Sequence, residues 1–361
     1  MQINHFITTI SRGGAENQLL ILCREQIASG HGVTVTPLKG QLDLLDDFES
    51  EDIKVDLSLH GKSFPLQILK KILGKRKIDR IQHAHLPQAE LLLALSFQRK
   101  YFITRHYGSA FFPGKPPLLS RILSRLASKR AAGIIAISKF VAEFLLKSGE
   151  IYGPKKLFVA TYGFDANNFV SNVGQTELLR RPNLSELKVG SLARLSFEKD
   201  LETLIRGFTL FHNSISSQST LEIYGEGPEL ESLKELIVSL QMHDSIFLMG
   251  KTSNPAEVLS QFDVFVLASK FEGFGMVYLE AMATSRIILA SNIPAAIEVL
   301  GTSGAATFFE VGNEWDLSLK LGEVMNVDQL RMREAQFKRL ELFGSDLMAN
   351  SIQKIYEQNL G

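Results

Sequence analysis

The sequence predicts an α/β protein made of two Rossmann-like, doubly wound domains. Three observations carry that expectation. At 361 residues the chain has room for two domains of about 150 residues each. Short β-rich runs alternate with amphipathic helical stretches from end to end, the pattern of parallel sheets covered by helices. Between the halves, residues 165–184 are polar and punctuated, with Asn167, Asn168, Asn172, Gly174 and Pro182, and read as a linker.

In the first half, strands are predicted at Ile3–Ile10, Val33–Pro37, Asp79–Ala84, Tyr101–Arg105 and Gly133–Ile137. In the second half they are predicted at Leu187–Leu192, Thr220–Tyr224, Ser245–Met249, Val264–Leu267 and Ile287–Ala290. Helices fill the gaps, Ala15–Ser29 and Glu229–Leu240 among them. Apolar runs such as Ala89–Phe97 are half the ~18 residues that a spanning helix needs, so they read as core.

Composition removes several classes. Cys23 is the single cysteine, which excludes a disulfide scaffold and a thiolate zinc cluster and fits a cytoplasmic setting. The opening MQINHFITTISRGG lacks a basic segment followed by an apolar one and does not read as a secretory signal. Net charge is zero, but residues 1–170 carry 23 basic and 14 acidic side chains and residues 171–361 carry 16 and 25, a split of +9 and −9. The basic half suits an anionic partner. Neither an arginine–glycine run nor an aromatic–basic repeat is present, so nucleic acid is not expected.

In doubly wound sheets, ligands sit beyond the carboxyl ends of the strands. The unusual residues fall there. Gly13 and Gly14 follow the first strand, His85 the third, His106 the fourth and Ser138 the fifth. Arg194 and Lys199 follow the first strand of the second half, then come Gly225-Glu226-Gly227, Gly250-Lys251 and Glu272-Gly273-Phe274-Gly275. Two such edges facing each other would frame an interdomain cleft. Gly13-Gly14 at a helix start can approach a phosphate, or can be a tight turn. Arg194 and Lys199 on one loop can hold a diphosphate, or can be solvated beside Glu198 and Asp200. Glu272 and Glu280 flank a helix predicted over Gly275–Ala283; carboxylates accept hydrogen bonds from vicinal sugar hydroxyls. Their plainer role is a charge at a helix start and a solvated side chain. His106 reads as a cleft histidine or a packed one. His83 and His85 have the i, i+2 spacing of a metal pair, but no carboxylate cluster or Asp-x-Asp accompanies them, so no metal is expected. A Gly-x-Ser-x-Gly elbow is absent as well.

Leu118–Arg130 reads as a basic amphipathic helix, with Leu119, Ile122, Leu123 and Leu126 on one face and Arg121, Arg125 and Lys129 in a stripe. Phe111 and Phe112 precede it, and Lys70, Lys71, Lys75, Arg76, Lys77 and Arg80 form a second basic cluster. Such features can lie on an anionic membrane, with Phe111, Phe112 and Leu119 inserting, or can be a core-packed helix with a solvated face.

Taken in order, Gly13-Gly14-Ala15-Glu16, Thr104-Arg105-His106-Tyr107-Gly108, Ala136-Ile137-Ser138-Lys139, Tyr162-Gly163-Phe164-Asp165, Ala193-Arg194-Leu195…Lys199, Tyr224-Gly225-Glu226-Gly227-Pro228 and Glu272-Gly273-Phe274-Gly275…Glu280-Ala281-Met282-Ala283 resemble glycosyltransferase family 4, on the GT-B fold. The resemblance spans nearly the whole chain. It implies a retaining, hexosyltransferase-type enzyme that uses a nucleotide-diphospho-sugar, with UDP favoured and neither metal nor other cofactor required. The acceptor it implies is lipid-linked or a polysaccharide, in cell-envelope glycan or lipopolysaccharide synthesis, and the setting is cytoplasmic and peripheral on the inner membrane face. By the resemblance, Arg194 and Lys199 bind the diphosphate, Glu280 the ribose and Glu272 the donor sugar. His106 approaches the sugar, Gly14 the phosphate, and Gly13, Gly250, Lys251, Gly273, Phe274 and Gly275 complete the nucleotide-sugar site. The final helix, Ser345–Leu360, crosses back, giving domains 1–168 with 345–361, and 172–344. Two departures from the family pattern are Thr284-Ser285-Arg286-Ile287 and Pro294-Ala295-Ala296 before Glu298. The competing readings are a sugar-nucleotide 2-epimerase on the same fold and a non-catalytic nucleotide-sugar-binding protein. Arg194, Lys199 and the helix start at Gly275 would stabilise the charge of the leaving diphosphate; by the resemblance, retention without an obvious nucleophile implies a front-face attack in which the leaving phosphate takes the acceptor proton.

Overall fold

The computed structural model describes residues 1–73, 80–96, 101–107, 111, 116–171, 173–174 and 186–360. Among residues read above, Lys75, Arg76, Lys77, Asp79, Phe97, Gly108, Phe112, Asn172 and Pro182 lie outside them. The chain forms two compact units, Met1–Phe164 with Phe343–Gly361, and Asp165–Leu342.

The first unit holds a seven-stranded, all-parallel sheet. Its strands are β1 (Gln2–Ile7), β2 (Gly32–Pro37), β3 (Lys54–Val55), β4 (Arg80–His85), β5 (Tyr101–Arg105), β6 (Gly133–Ala136) and β7 (Leu157–Val159), in the order 3-2-1-4-5-6-7. β1 and β4 run in register with Ile3 opposite Ile81 and His5 opposite His83. The central strands are buried on both faces, as parallel strands under helices must be. The helix Ser345–Leu360 belongs to this unit: Met348, Ile352, Ile355 and Tyr356 pack with Ile3, Leu22, Ile81 and Phe102.

The second unit holds a six-stranded parallel sheet: β8 (Lys188–Leu192), β9 (Thr220–Tyr224), β10 (Ile246–Gly250), β11 (Val264–Leu267), β12 (Ile287–Ser291) and β13 (Thr307–Phe309), in the order 10-9-8-11-12-13. Its core joins Val189, Ile223, Val266 and Leu289 from the strands to Leu204, Phe208 and Leu317 from the covering helices. In each sheet the order reverses beside the first strand, at β1 and at β8. Those reversals are where doubly wound sheets open a binding crevice.

All ten predicted strands form, with ends that differ by a few residues; Asp79 lies outside the described residues. The three strands that the sequence reading leaves out, β3, β7 and β13, have two or three residues and sit at sheet edges. A strand that short shows no periodicity. The basic helix forms at Pro117–Lys129, and the core-packed reading of its apolar face is corrected. Ser120, Ser124, Ala127 and Ser128 are buried, while Leu118 (61% exposed), Leu119, Ile122 (53%) and Leu126 face solvent. The small side chains allow close packing on the buried helix Pro87–Leu95. The expected insertion of Phe111 is also corrected: it is fully buried, with the Arg105 guanidinium 4.6 Å from its ring centroid.

Candidate active site

In the second unit, the loops after β8 and β11, adjacent at the sheet's reversal, are tied together. Lys199 Nζ pairs with Glu272 Oε1, and Ser269 Oγ donates to the same oxygen at 2.8 Å. Lys270 Nζ pairs with Asp200 Oδ1 at 2.9 Å, and the Lys270 amide donates to the Glu198 carbonyl at 2.8 Å. Asp200 has φ +47°, a left-handed conformation that a non-glycine residue holds only when its surroundings fix it. Here Thr203 Oγ1 donates to its other carboxylate oxygen at 2.8 Å. The Lys199–Glu272 pair is 17% and 11% exposed, so it reaches solvent at its tip only. Arg194 is exposed and takes part in no ion pair among the described residues.

The Arg194 loop rests on the loop after β9. A Cβ at Gly225 would fall 1.9 Å from the Ala193 carbonyl oxygen, and one at Gly227 2.1 Å from that of Leu195. Only glycine at both positions lets the two backbones approach this closely, which explains the Gly-x-Gly spacing. Gly250 ends β10, its carbonyl accepting from the Gly225 amide at 2.8 Å; Lys251 beside it is exposed and paired with Glu226 at 2.8 Å.

The helix after β11 runs Met276–Ala283, with left-handed Gly275 (φ +87°) at its N-cap. A Cβ there would meet the Tyr278 ring at 2.6 Å. Phe274 is buried and Gly273 half-buried. Glu280 lies one turn into the helix, half-buried, and forms no ion pair among the described residues. Burial pushes its carboxyl up to about 7. The departure at Arg286 has a structural use: the side chain is buried, with Nε donating to the Thr284 carbonyl at 2.7 Å and Nη1 to that of Phe262 at 3.2 Å.

In the first unit, Gly13 caps the helix Gly14–Ala28 and Gly14 is exposed at its start. The buried Glu16 carboxylate curls back beneath Gly13 and accepts from Thr9 Oγ1 at 2.7 Å. That helix start therefore already carries a negative charge, and an arriving phosphate would meet it. Ser138 is an N-cap, accepting from the Val141 amide at 3.0 Å. Arg105 is fully buried between Glu90 (2.9 Å) and Glu150 (3.4 Å) and donates to Tyr107 and Ser124, which makes it an anchor of the fold.

His106 is not alone. Its Nδ1 lies 2.7 Å from Tyr162 Oη and its Nε2 3.1 Å from His85 Nδ1; His85 Nε2 lies 3.0 Å from His5 Nδ1, and His5 Nε2 2.8 Å from Gln26 Oε1. His83 bridges Tyr356 Oη (2.6 Å) and Thr104 Oγ1 (2.7 Å). Burial lowers all four imidazoles, His5 to about 4 and His106 to about 3. The sequence reading missed His5 and Tyr356 and quoted Tyr162 only within a motif; the β1–β4 register brings His5 to His83, a pairing that only the sheet order reveals. Ligand atoms of His5, His83 and His85 all lie within 4.8 Å of one another, a three-histidine group that the sequence spacing did not disclose. In the structure these ring nitrogens bond to one another and to Gln26, Tyr356, Thr104 and His106. No described helix is long and apolar enough to cross a membrane.

Comparison with known proteins accords with this frame. Residues 12–167 match the model of Glycosyltransferase Family 4, and residues 179–339 that of Glycosyl transferases group 1. N-acetyl-alpha-D-glucosaminyl L-malate synthase of Bacillus anthracis is 23% identical over 265 residues, 71% of this chain and 67% of that protein. An N-acetylgalactosamine-N,N'-diacetylbacillosaminyl-diphospho-undecaprenol 4-alpha-N-acetylgalactosaminyltransferase of Campylobacter jejuni is 28% identical over 215 residues, 59% of this chain and 56% of that one. The chain thus spans little more than half the length of the second relative. Among solved structures, Anabaena HepE in complex with UDP and glucose superposes with a TM-score of 0.81 at 19% identity, covering 99% of each chain. Both units therefore have the Rossmann-like architecture of GT-B proteins.

Proposed function

The chain belongs to the family 4 and group 1 glycosyltransferases, and from that premise we propose that it moves a hexose from a nucleotide-diphospho-sugar, UDP-linked by preference, to a lipid-linked or polysaccharide acceptor with retention at the anomeric carbon. One observation carries the site assignment. Lys199 and Glu272 pair across the loops that leave the carboxyl ends of β8 and β11, the adjacent strands at which the sheet order reverses, and the second of these loops runs into the Gly275 helix start and the helix that carries Glu280. In this reading Glu280 accepts from the ribose hydroxyls, Glu272 from the donor sugar, and Lys199 with Arg194 faces the diphosphate. Gly273, Phe274 and Gly275 shape the approach to the helix start.

Breaking the sugar–phosphate bond places negative charge on the departing nucleotide. Fixed positive groups aimed at that charge are commonly the largest catalytic contribution. Lys199 is held there by Glu272 before donor arrives, so little reorganisation is needed. The departing phosphate oxygen takes the acceptor's proton, and no divalent ion is required. His106 has both ring nitrogens engaged within its own unit, so its share in sugar binding is through its ring face or backbone. Gly13 and Gly14 contribute amides, working against the charge of Glu16.

The first unit's exposed apolar stripe, Leu118, Leu119, Ile122 and Leu126, beside Arg121 and Lys129, supports docking on an anionic membrane at the cytoplasmic face. Leu66, Leu69, Ile72 and Leu73 add a second exposed apolar stripe, with Lys70 beside it, on the helix Phe64–Leu73, which also packs on Pro87–Leu95.

The test is incubation of purified protein with UDP-glucose, UDP-N-acetylglucosamine and GDP-mannose, with and without a polyprenyl-diphosphate-sugar acceptor and with and without EDTA. Acceptor-dependent nucleotide release that survives EDTA and yields an α-linked product supports the reading. Epimerised donor, or nucleotide binding with no turnover, would replace it.

A further inference from the structure

A neutral imidazole has one N–H and one lone pair. When imidazoles are joined nitrogen to nitrogen, each link needs a donor on one side and an acceptor on the other. A run of them must therefore point one way. Any reversal sets two N–H groups, or two lone pairs, face to face in a site that water cannot relieve. His5, His83 and His85 are at most 1% exposed, and Gln26 is 4% exposed.

The links form one continuous path. At one end, Gln26 has an oxygen that only accepts and a nitrogen that only donates. Its Oε1 faces His5 Nε2 at 2.8 Å, so His5 carries its proton on Nε2 and accepts at Nδ1. His85 must then donate from Nε2 to His5 Nδ1, at 3.0 Å. His106 must donate from Nε2 to His85 Nδ1, at 3.1 Å. Tyr162 closes this arm by donating its hydroxyl to His106 Nδ1, at 2.7 Å.

We infer that Tyr162, His106, His85, His5 and Gln26 form a single one-directional hydrogen-bond chain in which the Gln26 amide sets the tautomer of His106. Gln26 is thus a positioning residue for a loop histidine that it does not touch. The chain runs through β1, the end of β4, the residue after β5, the helix Gly14–Ala28 and the loop at Tyr162. It fixes His106 as an acceptor at Nδ1 and a donor at Nε2. The consequence for catalysis rests on the reading of His106 as part of the donor site; the existence of the chain does not.

The experiment uses full-length protein labelled with ¹⁵N at its eight histidines. Long-range proton–nitrogen correlation spectra report which ring nitrogen of each histidine is protonated. Assignments come from single histidine substitutions. In wild type, His5, His85 and His106 are all expected in the Nε2–H form. Gln26→Met keeps the length of the side chain but removes its polarity, and His106 should lose its single tautomer, its two nitrogen signals moving toward each other. Tyr162→Phe removes the far end, and the Nε2–H form should persist because Gln26 remains. Mixed polarity in wild type, or an unchanged His106 in folded Gln26→Met, would overturn the proposal. So would a stoichiometric metal ion by elemental analysis, since ligation would occupy the nitrogens that the chain requires. The wild-type spectrum decides the matter even if Gln26→Met does not fold. Turnover is measured separately: lower kcat with unchanged donor KM in Gln26→Met ties the chain to catalysis. Ordered tautomers in a protein with no transferase activity would leave the chain intact and remove the proposed function alone.

Discussion

A carboxyl group with a raised pKa leaves two separate marks, and Glu280 should show both. Burial holds it near 7, against an ordinary value near 4.5. The folded state therefore binds a proton that the unfolded chain has lost between those values. Stability from this group is fully present below about pH 4.5 and falls as pH rises toward 7, by of order 1–3 kcal/mol. Glu280→Gln removes the titration, so its melting temperature should exceed that of wild type at pH 8, and the gap should close toward pH 5. Nucleotide binding should move the opposite way. Wild-type affinity should rise as Glu280 ionises through pH 7, while Glu280→Gln should bind about 1.5–3 kcal/mol more weakly at pH 8 and with a flatter profile. Calorimetry at three pH values measures this, and equal affinities would remove Glu280 from the ribose. Lys199→Ala should lower turnover by ~10²-fold or more, the scale of losing one charge-stabilising group. Steady-state kinetics on the folded variant check it; wild-type turnover would show that Lys199 only pairs with Glu272. At this scale the sequence was informative wherever a residue type is constrained locally. Gly225, Gly227 and Gly275 stood out because backbone contact leaves no alternative. His5 did not, because its meaning comes from a strand 75 or more residues away.

Helices and strands were legible where their burial follows periodicity. β5 and β11 form over the residues expected because each is a short, largely apolar run between turn signals, and β9 because buried Leu221 and Ile223 alternate with half-buried neighbours. Pro117–Lys129 shows the opposite case. Its leucines and isoleucine mark a face, but periodicity says nothing about which face turns inward. Serine and alanine win here because they let the helix approach Pro87–Leu95. The outward apolar stripe makes a prediction at the level of the helix. Arg121→Glu/Lys129→Glu and, separately, Leu119→Ser/Ile122→Ser should each reduce co-sedimentation with vesicles containing anionic lipid. The first effect should vanish at high salt, where charges are screened within a few ångströms. Arg125 is left intact in both because its Nε donates to the Gly149 carbonyl at 2.6 Å. Pelleting equal to wild type in both variants would leave the stripe without a membrane role.

On the scale of the molecule, the first unit is closed by residues far along the chain. Removing residues 343–361 would strip Met348, Ile352, Ile355 and Tyr356 from its core. At about 1.5–3 kcal/mol per buried apolar side chain, the loss is comparable to the whole stability of a typical domain. Such a truncation should leave residues 1–164 protease-sensitive while residues 186–342 stay protected, as limited proteolysis would show. The chain leaves the first unit at Phe164 and re-enters it at Phe343, whose carbonyl accepts from the Phe164 amide at 2.7 Å. Departure and return are thus neighbours, which fixes an order of events during synthesis. A ribosome adds about 5–20 residues per second. The strands of the first unit emerge first, yet they wait tens of seconds for Ser345–Leu360, while the second unit receives all its residues before then. The half that is begun last can be finished first, and the exposed faces of β1, β4 and β5 are the surfaces that a nascent-chain chaperone would have to shelter in the meantime.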